Sequence, residues 1–284
     1  MSLRTPFQLQ KPITSALRLM KQCYKLKDYD HIIDPFCGTC QFEIALLNRN
    51  KNLKYILSNT SKANITFWEQ VQVANSELVE LLNDSVDNVD SDEIEAYKSE
   101  IAAFNNNESN TSELIIAAYY YIINEYNAKE GFKGKGIKYI QNLNNRLDEL
   151  DFFKEDYNSM IQQTRSNQSN FIFCNIPEDL PDQQLRKLYR LIKYAKCDWI
   201  LIVPNDEEMF TTYSKNVIFP VKDKLIILSK RSNDASIPPK IMQANLIERA
   251  VYNFDNLSSY DEFIAWCCWV RMFIAVGTYA KMKH

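Results

Sequence analysis

The sequence predicts an α/β fold: a mostly parallel sheet with an antiparallel hairpin at its end, interrupted by a helical insert. Three observations carry this expectation. Short apolar runs alternate with helix-periodic runs near the start of the chain and again after residue 170. The apolar pair Ile32-Ile33 runs through an acidic residue into a Gly-containing turn and then directly into an apolar helical run. Two further apolar runs, 217–221 and 224–228, are separated only by Lys222-Asp223, the spacing of a hairpin.

Taken in order, Pro12 stands at a plausible first helical position, and Ile13, Ala16, Leu17, Met20, Cys23 and Tyr24 recur at helical spacing behind it. A strand at Ile32-Ile33 then leads through Asp34 to Cys40 into the helical run Phe42, Ile44, Ala45, Leu46, Leu47. Leu53 to Leu57 reads as a second strand ending at Ser58-Asn59, followed by a helix through Phe67 and Trp68, which makes the beginning a βαβ unit. From about Ser76 to Glu113 the pattern is helical and strongly acidic, a poor phosphate binder. The Asn-rich stretch at Asn105 reads as loop. Lys129 to Lys138 holds three of the five glycines of the chain and reads as a mobile, basic loop. A strand at 171–174, a basic helix from Pro181 to Lys196 and a strand at 199–203 resume the alternation before the hairpin. The expected organisation is a core of residues 1–75 and 150–235, a helical insert at 76–149 and a helical extension at 236–284.

With 284 residues the chain is long enough to bury a substantial core. Its 33 basic and 36 acidic side chains exclude a protein that coats nucleic acid indiscriminately and confine any such contact to one face. Seven cysteines, an odd number, and a start without the apolar region of a signal peptide point to reduced thiols in the cytoplasm or nucleus and not to secretion. Residues 263–280, from Phe263 to Ala280, form a helical pattern apolar on nearly every side behind a Ser259/Glu262 capping box. Burial in the domain or against a protein partner is the expectation; Arg271 at the centre argues against a membrane anchor.

A strand that ends in a carboxylate and turns through glycine into a helix lets backbone approach a nucleotide-like ligand at the positive helix terminus. The specific residues carry a resemblance. Asp34-Pro-Phe-Cys-Gly-Thr-Cys40 resembles the Asp/Glu-Pro-Phe-x-Gly-x-Gly motif of the Dam-type adenine-specific DNA methyltransferases. Phe171-Ile-Phe-Cys-Asn175-Ile176-Pro177-Glu178 stands where that family carries its apolar strand and Asp/Asn-Pro-Pro-aromatic signature. Asp156-Tyr157 is similar to the pair near the cofactor adenine, and Lys11 to the N-terminal Gly-Lys. The segment Tyr119 to Asn127 is similar to the start of target recognition. The likeness covers roughly residues 9–230, by motif order more than by identity.

This resemblance implies a Rossmann-like methyltransferase fold with S-adenosylmethionine bound by Lys11, Asp34, Phe36, Gly38, Asn59 and Asp156. It further implies that the amine of adenine, in DNA or less readily RNA, meets Asn175 and Pro177, with Glu178 at the position of the stacking aromatic. Asn59 stands where the family usually carries an acidic residue that holds the ribose hydroxyls, which an amide bonds less strongly, and Leu9-Gln10 replaces the glycines before Lys11. Three further residues depart from the pattern. Cys40 replaces a glycine where a Cβ and sulfur would obstruct close backbone approach; Ile176 relaxes the rigidity of proline; and Glu178 has no π-face, which costs about 1–3 kcal/mol of base stacking. Two function classes follow: a methyltransferase, or an inactive pseudo-methyltransferase kept as a nucleic-acid-binding or scaffolding subunit. From the residues themselves, Lys129, Lys133, Lys135 and Lys138 are the expected nucleic-acid contacts, a basic loop flanked by aromatics. Arg186, Arg190 and Lys193 form a helical stripe that reads first as a solvated face. Cys37 and Cys40 also satisfy Cys-x-x-Cys at a helix start, where a thiol pKa can be lowered, but with no second such pair and only His31 and His284 to complete a zinc site, ordinary buried thiols are the expectation.

Overall fold

The computed structural model describes residues 3–47, 53–86, 88–129, 131–205, 209, 212–231, 234–243 and 245. The apolar segment 263–280 and its capping box lie outside them. The described residues are α/β, with seven strands, mostly parallel and ending in an antiparallel pair. It divides into two compact units, Met1–Ile202 and Val203–His284.

In the first unit, α1 (Lys11–Cys23) carries Pro12 in its first turn and buries Ile13, Ala16, Leu17, Met20 and Cys23, the stripe expected from their spacing, together with Leu19. A single 3-10 turn, Leu26–Asp28, leads into β1 (His31–Asp34). Next come α2 (Gln41–Leu47), β2 (Lys54–Ser58) and α3 (Lys62–Val73), whose N-cap Ser61 accepts a hydrogen bond from the Asn64 backbone. The acidic stretch forms α4 (Asn75–Asp84) and α5 (Ser91–Asn105), the latter opened by a capping box of Asp90 and Glu93. Asn105, expected in a loop, is the last residue of α5.

The aromatic run lies inside α6 (Glu113–Lys129), which buries Ile116, Ala117, Ala118, Tyr121 and Ile122 and stacks Tyr121 on Phe67 of α3, 5.9 Å between ring centres. After α7 (Ile137–Asn142) come β3 (Leu150–Phe153), α8 (Tyr157–Thr164), β4 (Asn170–Asn175), α9 (Asp182–Lys193) and β5 (Asp198–Pro204). Sequence periodicity did not single out β3, a four-residue strand with only one fully buried side chain, Leu150.

The strands of this unit run in the order β3-β2-β1-β4-β5, every pair parallel, with His31 opposite Lys54, Ile32 opposite Phe171, Tyr55 opposite Leu150 and Phe171 opposite Asp198. That is the strand order of a doubly wound, Rossmann-like sheet. The central strands are continuous apolar runs because both their faces are covered: β4 buries Asn170 to Cys174 without a break, and Phe173 stacks on Phe42 of α2 at 3.8 Å. In the second unit β6 (Asn216–Val221) and β7 (Lys224–Arg231) form the expected antiparallel hairpin, closed by a turn with Lys222 at φ +58°. Among the described residues no helix is long and apolar enough to cross a membrane.

Candidate functional site

β1 and β4 lie side by side at the point where the strand order reverses, so the crevice beyond their carboxyl ends is where an open α/β sheet places a ligand. The residues that reach this edge are those of the first turn. Asp34 ends β1, is 3% exposed, and accepts the Phe36 backbone N–H at 2.9 Å. The Cys37 backbone N–H reaches across to the Ser58 carbonyl at the end of β2, 2.9 Å away. At Cys40 the chain takes the left-handed conformation, φ +44°, and enters α2. This is the geometry for which a glycine would be the unstrained choice, yet the Cys40 side chain is accommodated, buried against Cys37 with the two sulfurs 2.8 Å apart.

Every carbonyl of the turn's apex is taken by a donor from the same unit. The Asn59 amide donates to the Cys37 carbonyl, while its oxygen accepts the Ser61 N–H at 2.8 Å. The Gly38 carbonyl accepts from Asn64 Nδ2 at 3.1 Å and from Trp68 Nε1 at 2.9 Å, both on α3. The Thr39 carbonyl accepts from the Thr5 hydroxyl at 2.6 Å. The N-terminal segment is held down by Phe7, whose ring meets those of Phe67, Trp68 and Tyr120 edge-on at 5.3, 5.8 and 6.2 Å. Above Gly38 itself the space is open: a Cβ there would meet nothing nearer than the Phe36 carbonyl oxygen at 4.0 Å.

Beneath the turn lies a pair of buried carboxyl groups. Glu43, in the first turn of α2, is 1% exposed, and burial pushes its carboxyl up to about 7. Asp34 is also raised, by burial first and then by the Glu43 carboxylate, so the pair retains a proton where free carboxyls would be ionised. Glu43 Oε1 and the Tyr55 hydroxyl beside it are buried without a hydrogen-bond partner among the described residues. Burial likewise pushes the Cys37 thiol up to about 11 and raises the Cys40 thiol as well. Cys37 and Cys40 are thus the ordinary buried thiols expected, desolvation of both sulfurs outweighing the helix terminus. Among the described residues no cluster of three or more His, Cys, Asp or Glu side chains is arranged to hold a metal ion.

At the end of β4 the Asn175 side chain is half-buried, and its amide lies 3.5 Å from the Gln10 side-chain oxygen. Gln10 caps α1 and is itself tied to Gln41 of α2 through its backbone N–H at 2.8 Å. Lys11 follows it, exposed. Ile176 turns inward, bonding the Ile202 carbonyl at 3.0 Å, whereas Pro177 and Glu178 are exposed. Asp156 is exposed at the N-cap of α8 and makes no capping bond; beside it the Tyr157 ring stacks on Phe36 at 5.1 Å. Asp34, Phe36, Gly38 and Asn59 thus meet in one turn with Tyr157, while Lys11 and Asn175 approach each other through Gln10.

The stretch Lys129 to Lys138 departs from the expected continuous loop. α6 extends to Lys129, and Ile137 and Lys138 already belong to α7. Between them the chain is anchored: Phe132 is buried against Tyr121, and the Lys135 backbone N–H donates to Glu125 at 3.0 Å, a carboxylate that also accepts the Tyr121 hydroxyl. Lys133, Lys135 and Lys138 are exposed. Nothing is described of the Lys129 side chain. On α9, Arg186, Arg190 and Lys193 are exposed, and on α6 only Tyr121 of the three consecutive tyrosines is fully buried.

Sequence reasoning missed Glu43, Asn64, Trp68, Thr5 and Gln10. Glu43 sits in a helix buried on nearly all sides, so no polar face marked it, and the others act across 26 to 34 residues of sequence, a pairing invisible to local pattern. The fold and site define a class: an α/β protein with a doubly wound parallel sheet and an internally braced polar turn at the carboxyl end of its first strand. No protein-family model matches the chain, and no curated protein is significantly similar to it.

Proposed function

We propose that this chain is a methyltransferase-like protein of the adenine-specific, S-adenosylmethionine-dependent kind that no longer transfers methyl groups and serves as a nucleic-acid-binding or structural subunit. The observation that carries this reading is the closure of the motif turn on itself. The Cys37, Gly38 and Thr39 carbonyls are each bonded to internal donors, and the Asn59 side chain, expected to hold ribose hydroxyls, is used at both ends inside the turn. A ligand at this edge would have to share acceptors already in use. On the catalytic side, Ile176 is buried and Glu178 stands exposed where base stacking needs an aromatic.

Two observations favour the active alternative, an adenine methyltransferase acting on DNA or RNA: the space above Gly38 is open, and Asp156 and Lys11 stand exposed at the starts of α8 and α1. Calorimetric titration with S-adenosylmethionine and its demethylated product separates the two. Absence of binding at millimolar ligand is the expected result. Micromolar binding together with methyl transfer to adenine in DNA or RNA would overturn the proposal.

A further inference from the structure

A cavity of about 450 Å³ opens between the N-terminal segment and the glycine-lysine segment, lined by Phe7, Gln8, Gly134, Lys135, Gly136, Lys138 and Tyr139. Its two walls are held in place. Gly134 turns the chain at φ +60°, and Gly136 is pressed so closely on the Pro6 carbonyl and the Tyr121 hydroxyl that a Cβ would collide with both. The backbone of Lys135 is fixed by buried Glu125, and Phe7 is fixed by the aromatic cluster beneath it.

We propose that this cavity binds a nucleoside phosphate, with the phosphate between Lys135 and Lys138 and the base against the Phe7 and Tyr139 rings. The inference rests on the nucleic-acid-binding part of the reading above. Lys135 and Lys138, both exposed and paired with no carboxylate among the described residues, line the cavity together with Phe7 and Tyr139, and Lys138 Nζ lies 5.1 Å from the Tyr139 ring centre. The Gln8 amide offers both a donor and an acceptor to a base edge. The volume lies within the range of small-ligand pockets, roughly 300–1,000 Å³. In a chain with net charge −3, a paired-lysine cavity with stacking surfaces is local and specific, not a consequence of composition.

The same chemistry is presented by a free mononucleotide and by one residue of a single strand. The test titrates the full chain with adenosine monophosphate, inorganic phosphate and a short fluorescein-labelled single-stranded DNA, for the wild type, Lys135→Ala/Lys138→Ala and Tyr139→Leu, with circular dichroism as the folding check. Strand binding that weakens about tenfold in each variant, with the slope of log affinity against log salt falling by about 1.4 in the double-lysine variant, is the expected result for a nucleic-acid source. A free-nucleotide source would instead give mononucleotide binding lost in both variants and stronger than phosphate alone. Wild-type affinity in folded variants overturns the pocket while leaving nucleic-acid binding elsewhere intact; no binding of any probe by the wild type overturns both.

Discussion

Cys40 is the residue at which sequence and geometry disagree most. It holds φ +44° with a Cβ and a buried sulfur, where a non-glycine residue pays a conformational cost of about 1–2 kcal/mol. Replacing it separates two contributions. Cys40→Ala keeps the strained Cβ and loses the contact with the Cys37 sulfur; Cys40→Gly loses the contact and the strain together. Cys40→Gly is expected to be more stable than Cys40→Ala by about 1 kcal/mol in urea titration, and the reverse order would mean that the turn relaxes when the thiol is removed. The cofactor-like motif was legible in the sequence from Asp34, Gly38 and Cys40. The clamp on its carbonyls was not, because Asn64, Trp68 and Thr5 are ordinary residues until the fold brings them to the turn.

Among the elements, those with strong period were legible: α1 by its apolar stripe, β4 and β5 as continuous apolar runs, and the β6–β7 hairpin by its two-residue spacing. β3 and α7 were not, being four and six residues long, too short for a period to repeat. The segment between α6 and α7 was expected to be mobile from its glycines; two of them, Gly134 and Gly136, serve close packing. Gly136→Ala is therefore expected to destabilise the chain by about 1–3 kcal/mol, since the new methyl meets the Pro6 carbonyl and the Tyr121 hydroxyl. Thermal unfolding measures it; an unchanged midpoint would show that the N-terminal segment moves aside.

For the whole molecule, the buried carboxyl pair ties stability to pH. An unfolded Glu43 ionises near its ordinary value of 4.5, whereas the folded carboxyl holds its proton up to about 7, and Asp34 is displaced in the same direction. Between those limits the native state carries the extra proton, so the pair's contribution to stability is full below about pH 4.5 and is lost as pH rises toward 7. Glu43→Gln, which cannot ionise, should flatten this decline; a wild type that grows more stable from pH 5 to 7 would contradict the pair's retained proton.

The neighbour relation of β1 and β4 has a consequence in time. Ile32 pairs with Phe171 across about 140 residues, and contacts so distant in the chain slow the folding of small domains because the intervening loop must close before the pairing rewards it. On a ribosome, β1 and β2 emerge early while the strand that covers the other edge of β1 does not yet exist. Until β4 is made, one side of the most apolar part of the sheet stays unpaired, an interval in which the nascent chain is exposed to aggregation.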